Sequence, residues 1–91
     1  MAKKVLIPIQ LRKLVDNETE VEVGAETIAG LIEELQFRYP GVQERLLETT
    51  GRIRGSVAVF LNGEDIRFLN QQQTALKDGD EISIIPAFSG G

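Results

Sequence analysis

The residues best placed to do chemistry close the chain: Ser89-Gly90-Gly91, directly after the apolar run Ile84-Ile85-Pro86-Ala87-Phe88. Two consecutive glycines carry no Cβ, so this stretch can thread a channel too narrow for other residues. Pro86 has no N–H to give a strand ladder, so pairing is expected to fail there and the tail to leave the body. Fully extended, the last four residues reach about 14 Å. The carboxylate of Gly91, with a reference pKa of about 3.5, is an anion at neutral pH and a poor electrophile. Acyl transfer from it requires activation, most simply as a mixed anhydride with AMP made by a partner enzyme. Gly91 is therefore the expected attachment point, with Ser89 and Gly90 as its slender tail.

Elsewhere the side chains offer little reactivity. The sequence has no histidine and no cysteine, which removes the commonest general base, the commonest metal ligand and the thiol nucleophile. Neither a phosphate-cradling G-x-x-x-x-G-K-[ST] nor a G-x-G-x-x-G occurs. Asp78 and Asp80 flank a glycine, which reads as a hairpin turn, since a Ca²⁺ site needs more oxygen ligands than this loop offers. Glu33-Glu34 falls on a solvated helix face. No metal, no bound cofactor and no catalytic side chain are expected.

The remaining composition narrows the partners. Ninety-one residues, 42% hydrophobic and 26% charged, make one soluble domain with a modest core. The net charge of −4 comes with scattered basic residues, the wrong pattern for displacing phosphate counterions, so no nucleic-acid partner is expected. Lys3-Lys4 precedes an apolar run that ends at Ile9 and is broken by Pro8, a strand rather than a signal peptide. No segment is long enough to span a membrane. The expected setting is cytoplasmic.

Hydrophobic periodicity supplies the elements that would carry the tail. Val5, Ile7, Ile9 and Leu11 alternate with Leu6, Pro8, Gln10 and Arg12, predicting a half-buried strand. Val15-Asp16-Asn17 reads as a turn, and Thr19 to Val23 alternates again, completing a hairpin. Thr27 stands at a helix N-cap position. Behind it Ile28, Leu31, Ile32, Leu35 and Tyr39 form one stripe at helical spacing, with Phe37 nearly opposite. Pro40-Gly41 ends that helix, and Val42 to Leu47 is long enough for a helical turn or two. Val57 to Leu61 predicts a strand, Asn62-Gly63 a tight turn, Ile66 to Phe68 a short strand, and Glu81 to Ile85 the last strand. One helix covers only one face of such a sheet. The expected fold class is α+β, a β-grasp (ubiquitin-like) roll with a mixed sheet of four to five strands and one main helix on one face. The body is expected over 1–87 and the flexible tail over 88–91.

On these residues the chain resembles the ThiS/MoaD-type ubiquitin-like sulfur carriers. The resemblance runs through Asn62-Gly63-Glu64-Asp65-Ile66-Arg67-Phe68, Leu76-Lys77-Asp78-Gly79-Asp80-Glu81-Ile82 and the segment from Ile84 to Gly91, with Tyr39-Pro40-Gly41 and Glu44-Arg45-Leu46 adding to it. It covers nearly the whole chain and looks most like the MoaD-like branch that includes the cysteine-biosynthesis carriers. The Gly41 to Gly55 segment argues against the usually shorter thiamin-type carriers. The resemblance implies an E1-like adenylating enzyme that spends ATP on Gly91, followed by sulfur transfer to give a thiocarboxylate. It also implies a sulfur-accepting enzyme, either a cysteine synthase or the large subunit of molybdopterin synthase. Two alternatives stand beside cysteine biosynthesis: the small subunit of molybdopterin synthase, and a protein modifier joined through Gly91 to lysines.

Strand parity adds a docking surface. With Val5, Ile7, Ile9, Val57, Val59, Leu61, Ile82 and Ile84 facing the helix, Leu6, Pro8, Phe60 and Ile85 face away. These four are expected to form an apolar spot continuous with Phe88 at the root of the tail, marking the partner interface.

Overall fold

Pro8 decides how the first element ends. In this computed structural model, which describes residues 2–86, strand β1 spans only Lys3–Leu6. Pro8 then caps a 3₁₀ helix over Ile9–Val15. The expected strand through Leu11 is thus corrected. Ile7 and Leu11 are buried as the alternation requires, but Ile9, assigned to the same inner face, is 71% exposed. Residues four apart share a face in a helical turn as well as in a strand, so Ile7 and Leu11 fitted both readings and only Ile9 separated them. Asp16 and Asn17, both at positive φ, turn the chain back into β2, Glu20–Val23, which pairs antiparallel with β1.

Helix α1, Ile28–Arg38, begins where the sequence places its cap: Thr27 Oγ1 accepts from the Gly30 amide at 3.0 Å. Ile28, Leu31, Ile32 and Leu35 are buried, while Phe37, opposite the stripe, is 88% exposed. Gly41, at φ 107°, supplies the left-handed backbone between α1 and the short α2, Val42–Leu46. Strand β3, Val57–Leu61, folds back through Asn62-Gly63, both at positive φ, into a two-residue β4, Glu64–Asp65. The strand expected at Ile66 to Phe68 is instead a 3₁₀ turn. The Asp65 carboxylate accepts from the Arg67 amide at 2.9 Å, a local bond that turns the backbone out of the ladder. Strand β5, Glu81–Pro86, closes the sheet.

The strand order is β2-β1-β5-β3-β4, with β1 and β5 parallel and the other pairs antiparallel. The first and last strands thus lie side by side at the centre, and α1 lays its stripe on one face: the β-grasp roll. Val5, Ile28, Leu31, Leu35 and Ile82 are at most 1% exposed, and burying each such side chain is worth roughly 1.5–3 kcal/mol. Pairing also runs one residue further than expected, because Pro86 still lies opposite Val57. Among the described residues no helix is long and apolar enough to cross a membrane.

Candidate functional site

The sheet face turned away from α1 is built by alternation along the three inner strands. Leu6 of β1, Ser83 of β5 and Phe60 of β3 stand in one cross-strand row. Neighbouring strands are about 4.8 Å apart, so Leu6 and Phe60 flank Ser83 at about 10 Å from each other. One pair further along β5, Ile85 lies beside Ala58. Leu6, Pro8 and Phe60 are half-buried and Ile85 is 50% exposed. Pro8, Gln10, Ile85 and Pro86 share a shallow groove at the end of β1 and β5. The structure therefore gathers Leu6, Pro8, Phe60 and Ile85 on one side of the sheet. Ala87, Phe88, Ser89, Gly90 and Gly91 lie outside the described residues, and so does the boundary between body and tail.

The opposite end of the same face is charged. Glu22, Lys4 and Glu81 pair across β2, β1 and β5, and Lys4 Nζ sits 3.9 Å from Glu20. The open face thus grades from ions to hydrocarbon along the direction of β5. Two members of the apolar end fell outside the parity reading. Ser83 was legible, because it alternates with Ile82 and Ile84. Gln10 was not, because it reaches the groove only through the 3₁₀ turn after Pro8.

The turn before β5 is a clamp rather than an ion site. Asp80 accepts from the Lys77 amide at 2.8 Å and from Asn62 Nδ2 at 3.0 Å. The Lys77 amide holds the Asp80 carboxyl below the usual carboxylate range; burial opposes this and Asn62 assists it. Lys3, on the inner face, is 5% exposed; its ammonium donates to the Gly24 carbonyl at 3.3 Å and stands 3.9 Å from Asp78. Both aspartates are therefore engaged by the body of the domain. Among the described residues no group of three or more acidic side chains could hold a metal ion.

The sequence matches the model of the ThiS family over residues 5–91. The chain belongs to the ThiS family. This ThiS-family chain is 35% identical to the sulfur carrier protein CysO of Mycobacterium tuberculosis over 89 residues, covering 96% of each. It is 35% identical to small archaeal modifier protein 3 of Haloferax volcanii over 65 residues, 71% of this chain and 70% of the other. Among solved structures, the Amycolatopsis orientalis BexX/CysO complex contains a chain that superposes with a TM-score of 0.92 at 33% identity, covering 99% of this chain and all of that one. Those relatives are named as carriers and modifiers, not as enzymes.

Proposed function

We propose that this protein is a sulfur carrier whose reactive group is the C-terminal carboxylate of Gly91. An E1-like partner in the cytoplasm binds the open sheet face. The Gly91 carboxylate attacks the α-phosphorus of ATP and releases pyrophosphate; a sulfide equivalent then displaces AMP and leaves a thiocarboxylate. That thiocarboxylate donates its sulfur in biosynthesis, with cysteine formation favoured by the kinship with CysO. The observation that carries the reading is the apolar patch on a ThiS-family body, with Leu6 and Phe60 flanking Ser83 and Ile85 one pair further along β5, the strand that precedes Gly-Gly in the sequence. The Amycolatopsis relative was solved together with BexX, which supports a carrier that works in a partner's grip.

A second reading, that Gly91 is joined to lysines of target proteins, is favoured by the likeness to a small archaeal modifier protein. Both readings start from the same adenylate and part at the product. Incubation with an activating enzyme, ATP and sulfide, followed by intact-mass analysis, is expected to show one terminal oxygen replaced by sulfur. Ladders of lysine-linked species without that exchange select the modifier, and an unaltered mass with every activating enzyme tried overturns both.

A further inference from the structure

The protein is acidic overall, at −4, yet one cleft has the opposite sign. A hollow of ≈ 250 Å³ along the outer edge of β3 is lined by Arg52, Arg54 and Arg67, with Gln71 and Gln72 beside them. Asp65 is the one carboxylate lining it, and Arg67 already holds that group, Nη2 to Oδ2 at 2.7 Å. Arg54 gives its Nε to the Glu44 carbonyl at 3.2 Å, which leaves its two terminal nitrogens. Among the described residues neither Arg52 nor Arg54 is in an ion pair.

The backbone under these arginines is pinned. Arg52 accepts from the Glu48 amide at 2.7 Å, and the Arg54 amide donates to Leu46 at 2.9 Å. Gln72 Nε2 ties the Gly51 carbonyl to the next wall at 2.9 Å. Guanidiniums on a fixed loop lose less freedom on binding than those on a mobile one. A second feature coincides with the charge. Strand β4 covers only Phe60 and Leu61, so Val57–Val59 has β5 on one side and no strand on the other. The Val57 amide is already given to the Arg54 carbonyl at 3.0 Å, so the main-chain groups this edge offers an incoming extended chain lie beyond that amide, toward Val59.

We propose that this cleft takes an acidic, extended peptide segment of a partner protein, added as a strand beside Val57–Val59 with its carboxylates on Arg52 and Arg54. A small anion would use the guanidiniums and leave the strand edge idle, whereas an acidic strand uses both. A nucleic-acid strand fits poorly, since the lining offers no aromatic ring for a base and the chain as a whole repels phosphates. The cleft lies across β3 from β5, so the proposal does not depend on what happens at Gly91.

The test is a titration of the isotope-labelled full chain at ~0.15 M salt with a capped hexapeptide alternating glutamate and valine, followed by amide chemical shifts. Saturable shifts at Val57–Val59 and at Arg52 and Arg54 are expected. Arg52→Glu/Arg54→Glu should bind at least about tenfold more weakly, with the rest of its spectrum in place as proof of folding. Four outcomes overturn the proposal: no shifts, equal binding of a lysine–valine peptide, the same amides moved equally well by inorganic phosphate, or shifts confined to the open sheet face.

Discussion

The two faces of this sheet are made from the same strands and much the same side chains, and they meet different fates. On the inner face Val5, Ile7, Val57, Val59, Ile82 and Ile84 are each at most 6% exposed under α1. One residue away along each strand, Leu6, Phe60 and Ile85 are left half-covered or open. Intrinsic hydrophobicity does not distinguish Ile84 from Ile85; the single helix does, because it can cover only one side. Residues on the inner face stabilise the fold. Those on the outer face have most to gain from another molecule.

That contrast is sharpest at neighbouring positions. Ile82→Ala, at a site with no exposure, should cost about 3 kcal/mol, read as a shift of the urea midpoint at constant slope. Ile85→Ala, three residues on and 50% exposed, should cost under about 1 kcal/mol. Equal losses at the two sites would abolish the distinction between the faces. Phe60→Asp comes next: binding to the proposed activating enzyme should weaken by about 2 kcal/mol, as for a buried aromatic anchor. The thermal midpoint should move little, and unchanged binding removes the docking role of this face.

Thr27→Ala tests whether the covering helix owes its start to the cap, and should cost about 1 kcal/mol in the same urea assay. The smallest effect is a response to acid. Asp80 titrates lower in the folded state than in the unfolded chain, so its contribution is present above the unfolded carboxylate range of about 3.9 and disappears as pH falls through the lower, folded value. Stability of the wild type should therefore fall more steeply below about pH 4 than that of Asp80→Asn, measured as urea midpoints at stepped pH. Parallel curves would detach this carboxylate from the acid limb.

How far the sequence foretold all this can be traced to particular residues. Alternation in β3 and β5, the Thr27 cap and the stripe behind it, and the Asn62-Gly63 turn are local signals with one physical meaning, and the elements stand where those signals put them. Pro8 carried a double meaning: it interrupts a strand, but nothing local tells a bent strand from a 3₁₀ turn when Ile7 and Leu11 satisfy both. Asp65 was missed for a related reason. Its bond to the Arg67 amide is made by a side chain, and a hydrophobicity pattern does not register it. The arginine cleft was illegible because Arg52 and Arg54 meet Arg67 only after the chain has turned through the β3–β4 hairpin. Leu6, Phe60 and Ile85 of the apolar face were readable from parity, since neighbouring strands in register bring like-facing side chains together, whereas Pro8 and Gln10 lie beyond β1, where strand parity no longer applies.

The central position of β5 has a mechanical consequence. Any machine that captures the end of this chain and draws on it loads β5 along its own length, against β1 on one flank and β3 on the other. Under such loading the bonds to both flanks share the force and must yield together, whereas an edge strand peeled sideways gives way one bond at a time. The body is thus firmly held against a pull transmitted through β5, because that strand is anchored on both sides.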